Sequence, residues 1–143
     1  MYTGRPNPTK DPRTYGAQQR QVARWDKNGI VVKRRALRYP PDWPKSRAEE
    51  KGIDVALAVD LVIMAVDGAF DVAVIASTDT DLIPAMEHVL QRASSTVEVA
   101  AWYDDHSKSL SVEGRCVWCH RLRKEDFDKI ADDTDYNVEK SRR

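Results

Sequence analysis

What this chain is short of narrows its class before any motif is read. No stretch approaches the ~18 consecutive apolar residues of a membrane-spanning helix, so no membrane partner is expected. Only two of the 143 residues are cysteine, too few for a disulfide-stapled secreted scaffold, and a reducing, cytoplasmic setting is expected. Net charge is zero, with 23 Lys and Arg against 23 Asp and Glu. That balance removes any bulk electrostatic pull toward nucleic acid or membrane. No glycine-rich phosphate loop occurs, which counts against a nucleotide-binding α/β protein or a small-molecule receiver of that kind. Neither His88 nor His106 has a Ser or Cys nucleophile in a recognisable setting, so a hydrolase triad has no support. No internal repeat or low-complexity tract is visible. The length suits one domain with a real core.

What is present is organised around residues 51–87. From Val55 to Val66 every residue but Asp60 is apolar, a pattern that predicts a helix buried on most sides. Asp67-Gly68 ends it. Val72 to Ala76 is a short continuous apolar run, which suits a central parallel strand covered on both faces. Ser77-Thr78-Asp79-Thr80-Asp81 follows, and a second helical pattern opens at Leu82. Two carboxylates spaced i, i+2 thus stand just past the end of a strand, where open α/β sheets bind ligands.

The rest of the chain repeats the alternation. Met1 to Arg13 is rich in Pro, Gly and polar residues, although its opening Met-Tyr-Thr resembles the end of a strand. A thin amphipathic helix is predicted over Tyr15 to Lys27, stopped by Asn28-Gly29. Ile30 to Leu37 reads as a strand that turns basic. Pro40, Pro41 and Pro44 make Arg38 to Glu50 a loop. Strands are expected over Thr96 to Trp102 and Cys116 to Leu122. A short helix is expected over Lys108 to Val112 and a last one over Lys124 to Ala131. The expected fold is a three-layer α/β/α sandwich with a mainly parallel sheet. It would fill residues 1–136 and leave 137–143 as a polar tail.

Asp79 and Asp81 have two readings. Clustered carboxylate oxygens suit hard cations such as Mg²⁺ and Mn²⁺, which support phosphodiester cleavage. Equally, Ser77, Thr78, Asp79 and Thr80 are all good helix caps, and acids favour a first turn. Asp54 carries the same ambiguity at the start of the apolar helix. Asp60, six positions on, lies roughly 240° around that helix and close to the face of Asp67, which favours a solvated stripe. Charge is unevenly spread. Met1 to Lys51 has 13 basic against 5 acidic residues, or +8, and Gly52 to Arg92 has 1 against 7, or −6. Arg34, Arg35, Arg38, Lys45, Arg47 and Lys51 gather before the acidic helix and suit phosphate contacts. Trp43, in its Pro-flanked loop, and Trp102-Tyr103 suit stacking on unpaired bases, although the pattern favours Trp102 as a core residue. Cys116-Val117-Trp118-Cys119-His120 matches a haem-attachment spacing, but it falls inside a predicted strand. A zinc site would want a fourth ligand.

Two segments in order, KGIDVALAVD and FDVAVIASTDTDLIPAME, carry a resemblance to the NYN domain family, the LabA-like branch of the PIN-like metal-dependent ribonucleases. The family pattern has a Lys-Gly-x-Asp helix start, then an apolar strand ending in Ser-Gly-Asp-x-Asp. Thr78 stands where that Gly usually stands. KEDFDKIADDTDY resembles the usual end of such domains, so the resemblance extends from about Tyr2 to Tyr136. It implies endonucleolytic hydrolysis of RNA, single-stranded RNA being favoured, with Mg²⁺ or Mn²⁺ as cofactor. It implies Asp54, Asp79 and Asp81 as catalytic metal ligands, with Asp60 as a secondary ligand. Arg34, Arg35, Arg38, Trp43, Lys45 and Lys51 would hold the RNA. The family's first strand, with its Asp, and the helix after it have no counterpart here. A truncated start is therefore expected, and unpaired sheet edges point to a homo-oligomer. The rival reading is a non-catalytic RNA- or protein-binding module on the same fold.

Overall fold

The computed structural model describes residues 1–103, 111–112 and 114–138. It is a mixed α/β fold with parallel strands, as expected, and it divides into two compact units. The first comprises Met1–Asp54 with the segment from Asp133 onward, and the second is Val55–Asp132.

In the first unit, β1 (Tyr2–Arg5) pairs in parallel with β2 (Lys33–Ala36), and α1 (Pro12–Lys27) connects them. The helix begins earlier than its apolar pattern announced. Asp11 caps it by accepting from the Thr14 N–H (3.1 Å), and Pro12 sits in the first turn, where its missing N–H costs nothing. The second strand is shorter than Ile30 to Leu37, because β1 offers only four residues to pair with, and Ile30 and Val31 remain exposed. Lys33 N–H donates to the Met1 carbonyl and Leu37 N–H to the Arg5 carbonyl. The odd residues of β1 therefore address β2, and Gly4 turns both backbone groups to the outer edge. Side chains meet them there. Glu50 Oε1 accepts from the Gly4 N–H (2.6 Å), and Gln18 Nε2 donates to the Gly4 carbonyl (2.5 Å). Only glycine allows this approach, since a Cβ would run into Leu37 Cδ2 and the Glu50 side chain. Arg20 Nε, donating to the Tyr136 carbonyl (2.8 Å), ties the C-terminal segment to α1.

In the second unit, β3 (Val72–Ile75), β4 (Thr96–Trp102) and β7 (Cys119–Leu122) form a parallel sheet in the order β3-β4-β7. A two-residue antiparallel pair, β5 (Ser111–Val112) and β6 (Arg115–Cys116), stands apart from it. The register sets Ala73 beside Val97 and Ile75 beside Val99, which share one face by the two-residue period. Leu82, Ala85, Met86 and Val89 of the acidic turn and α3 (Ile83–Arg92) join these residues in the core, with Leu61 and Ala65 of α2 (Ile53–Val66). Ser95, the buried polar residue among those described in this unit, satisfies its hydroxyl on the Phe70 carbonyl (2.8 Å). The final helix, α4 (Lys124–Ile130), leaves Phe127 and Ile130 exposed.

Four expectations are corrected. The apolar helix α2 is not buried on most sides. Leu61 and Ala65 pack inward, but Val55, Val59, Ile63 and Val66 are exposed, Val59 by 50 % and Val66 by 67 %. These four recur at i, i+4, i+8 and i+11, one continuous helical stripe. The strand β3 is not central. It pairs with β4 alone among the described strands, and Val72 and Val74 are 46 % and 52 % exposed on the face opposite Ala73 and Ile75. The Cys116 to Leu122 run is two strands, broken at Val117-Trp118, because Val117 turns into the core while Trp118 stays outside. Of the expected helix over Lys108 to Val112, Ser111-Val112 is a strand, and the preceding residues lie outside those described.

The two faces of α2 and α3 make separable demands on stability. Met86 is fully buried, so Met86→Ala should lower the unfolding free energy by about 2–5 kcal/mol. Val59→Ala, on the exposed stripe, should stay within about 0.5 kcal/mol of wild type. Urea denaturation followed by circular dichroism checks both.

Candidate functional site

The carboxyl ends of β3, β4 and β7 lie at one edge of the second unit's sheet, because all three strands are parallel. The turn after β3 is anchored at both ends, by buried Ile75 and by Leu82, which is 1 % exposed. Between them the backbone is held by local hydrogen bonds. Asp79 N–H donates to Ser77 Oγ (3.1 Å), and Asp81 N–H donates to Asp79 Oδ1 (2.9 Å). Asp79 thereby caps the 3-10 turn Thr80–Leu82 that leads into α3. Both carboxylates remain exposed to solvent. The two readings of this pair therefore coexist in one geometry: one oxygen of Asp79 serves the backbone, and the rest of the pair faces water.

Beside them, Tyr103 follows β4, and Arg123 and Lys124 follow β7, lining an open cleft of about 390 Å³. The Arg123 guanidinium stands over the Tyr103 ring at 5.2 Å, a cation–π pair. Arg123 and Lys124 went unremarked in the sequence; the signal was a basic pair directly after the last strand. The Asp126 carboxylate accepts from the Arg123 N–H (2.9 Å), and that bond holds its pKa below the ordinary aspartate value. Trp102 is corrected from a core expectation. It is 56 % exposed and meets Phe127 edge-on at 6.1 Å.

The other expected residues are spread along the chain. Asp54 is exposed in the first turn of α2, at the boundary between the units, and Asp60 is half-buried in mid-helix, where it has interactions of its own. In the first unit, Arg34 is half-buried, and its Nη1 has no hydrogen-bond partner. Arg35 lies exposed over Gly52, whose φ of +72° needs glycine. Arg38 forms a two-bond bridge with Glu49 (2.9 Å each way). Trp43 is half-buried and packs edge-on against Tyr39 at 4.8 Å, while Lys45 and Lys51 are exposed. A second cleft, about 250 Å³ and lined by Arg5, Tyr15 and Leu37 among others, opens at the carboxyl ends of β1 and β2.

In the C-x-x-C-H segment, Cys119 is a free, half-buried thiol, and His120 Nε2 lies 2.6 Å from Glu98 Oε2. His120 is thus engaged across the sheet rather than turned toward Cys119.

A family model, the NYN domain, matches residues 5–116, more than three quarters of the sequence. The chain belongs to the NYN family. The match spans Asp54, Asp79 and Asp81 and stops short of Arg123 and of the KEDFDKIADDTDY segment. Comparison with the curated proteins and with the solved structures gave no match. The NYN family is nuclease-like, which gives the chain a coarse nuclease or RNA-related role. NYN nucleases are typically divalent-metal dependent. Among the described residues no group of three or more His, Cys, Asp or Glu side chains is placed to hold a metal ion. The described carboxylates do not by themselves make a metal site, and no helix among the described residues is long and apolar enough to cross a membrane.

Two measurements follow from the local geometry. Asp79→Ala removes the cap and should cost about 0.5–2 kcal/mol, whereas Asp79→Asn keeps an equivalent acceptor and should cost little; thermal unfolding distinguishes them. Asp126, with its depressed pKa, contributes stability that is present above its unfolded value and is lost as pH falls through the folded one. An NMR titration should therefore place the Asp126 midpoint below the ordinary aspartate value and show the start of α4 fraying through that range.

Proposed function

We propose that this NYN domain acts on RNA, single-stranded RNA in particular, as an endonuclease that uses Mg²⁺ or Mn²⁺. The observation that carries this reading is the exposed pair Asp79 and Asp81 at the carboxyl end of β3, inside the family match. Asp54, in the first turn of α2, is the third carboxylate of the proposed set, with Asp60 behind it. Arg34, Arg35, Arg38, Lys45 and Lys51 are the proposed phosphate contacts, and Trp43 the proposed stacking residue. An exposed carboxylate pair repels a phosphodiester unless a cation stands between them, which is why basic residues and a divalent ion belong to the same proposal. Among the described residues the carboxylates form no three-ligand group, and the proposal rests on the acidic strand end for the ion and on the basic residues of the first unit for phosphate contacts.

That same observation favours a second reading, in which the domain binds RNA without cutting it. Asp79 is already employed as a cap, and a capping pair needs no ion.

Cleavage of labelled single-stranded RNA with Mn²⁺, against EDTA and against Asp79→Asn, separates the two. The nuclease reading expects cutting that stops in EDTA and falls roughly 100-fold or more in Asp79→Asn, a variant that keeps the cap. Folded protein that binds RNA in an anisotropy titration but leaves it intact establishes the binding reading. Replacing Arg34 and Arg35 by Ala should then weaken binding to all sequences alike and lower the salt slope by about 1–2. No RNA binding and no cutting would remove both.

A further inference from the structure

The register of the second unit's sheet can be followed past the ends of its strands. Ile75 pairs with Val99 and Val99 with Cys119, one row across the sheet. Asp79, Tyr103 and Arg123 each stand four residues beyond that row, after β3, β4 and β7 in turn. Neighbouring strands lie ~4.8 Å apart, so the acidic turn and Arg123 are separated by two strand steps, about 10 Å. The Tyr103–Arg123 pair is held from several sides. Tyr103 N–H donates to the Leu122 carbonyl (2.6 Å), Arg123 N–H donates to Asp126 Oδ2 (2.9 Å), and Phe127 of α4 meets Trp102 of β4 edge-on. The Arg123 guanidinium stands over the Tyr103 ring at 5.2 Å, and it has no ion pair among the described residues. Tyr103 is nevertheless 54 % exposed, so ring surface remains for a ligand in the cleft. The cleft's charged lining is Arg123 and Lys124 against Glu125, and Lys124 is engaged by Asp128 (2.6 Å). That leaves Arg123 as the cation to meet an anion there.

We propose that Tyr103 and Arg123 form a nucleotide subsite, in which an unpaired base stacks on the Tyr103 ring and Arg123 holds its phosphate. The subsite rests on the RNA reading above and adds a substrate contact within the same unit as Asp79 and Asp81. A tyrosine ring accepts any base through its π-face, and a guanidinium presents a fork of N–H donors that fits a phosphate. Together they match what one nucleotide offers, a flat ring beside an anion. A base within a duplex keeps its faces stacked on its neighbours, so the subsite takes single-stranded RNA and rejects paired RNA. Its distance of two strand steps from the acidic turn places it on a nucleotide flanking the phosphodiester that Asp79 and Asp81 address. The opposite charges along this sheet edge also set how the strand lies. Backbone phosphate is drawn to Arg123 and repelled by the carboxylates wherever no cation stands between.

The probe is a labelled oligouridylate, titrated with the full chain and followed by fluorescence anisotropy at several salt concentrations. The wild-type chain should bind it. Tyr103→Ala should weaken binding roughly 10-fold or more with the salt slope unchanged, since the ring carries no charge. Arg123→Ala should weaken binding and lower the salt slope by about 1. A merely structural role would not separate affinity from salt slope in this way. NMR of the wild-type chain supplies a readout that needs no variant to fold. The Tyr103 ring protons should shift upfield on adding oligouridylate, and should not do so with inorganic phosphate or an RNA duplex. Suppose the wild-type chain binds the RNA. Unchanged affinity in Tyr103→Ala, an unchanged salt slope in Arg123→Ala, unmoved ring protons, or an equal ring shift with the duplex would then each overturn the subsite and leave the RNA reading standing. A wild-type chain that binds no RNA overturns both together.

Discussion

Everything at the acidic end of the second unit depends on the packing of one face of β3 and β4 against α3. Ile75, Val97 and Val99 meet Leu82, Met86 and Val89, and all six are nearly or wholly withdrawn from water. This cluster fixes both ends of the segment that holds Asp79 and Asp81. Because Ile75 and Leu82 are both anchored, the six residues between them have little freedom. Ser77 and Asp79 use what remains by hydrogen-bonding the following backbone. The carboxylates are therefore presented to solvent by a rigid turn and not by a loose loop. A rigid presentation of charge is what recognition of a charged ligand requires.

The first unit solves a different problem. Its two-stranded sheet is too small to bury much, and it carries most of the chain's positive charge. Its stability rests on satisfied backbone groups: Asp11 on the start of α1, Glu50 and Gln18 on Gly4, and the Arg38–Glu49 bridge. The contrast with β3 is instructive. One exposed edge is covered by polar side chains reaching back from a loop and a helix. The outward backbone groups of Val72 and Val74 have no such side-chain partner among the described residues.

Much of this was legible from residue order alone. The succession of helices and strands, the turn at Asp67-Gly68 and the position of the two carboxylates after an apolar strand all follow from local periodicity and turn chemistry. The family was legible as well, because Lys51-Gly52-Ile53-Asp54 and Ser77-Thr78-Asp79-Thr80-Asp81 are short segments whose meaning lies in their own spacing. Capping was legible as one of two readings, and the hydrogen bond from Asp81 N–H to Asp79 shows that it is realised.

Only the tertiary structure decided which apolar surfaces are covered. Val55 to Val66 reads as a helix buried all round, and Val72 to Ala76 as a central strand, because composition reports how much a segment would gain from burial. It does not report whether a neighbour exists to supply it. The number of strands beside β3 and the number of layers over α2 are long-range facts, so Val59, Val66, Val72 and Val74 appear exposed where local pattern put them inside. Edge chemistry was hidden for the same reason. Gln18 and Glu50 meet Gly4 across 14 and 46 residues of chain, and no local pattern links them. What the sequence determined by itself is the order of elements and the chemistry each one presents. Which edges close and which stay open was left to the fold, because backbone hydrogen bonds between strands are made in space and not along the chain.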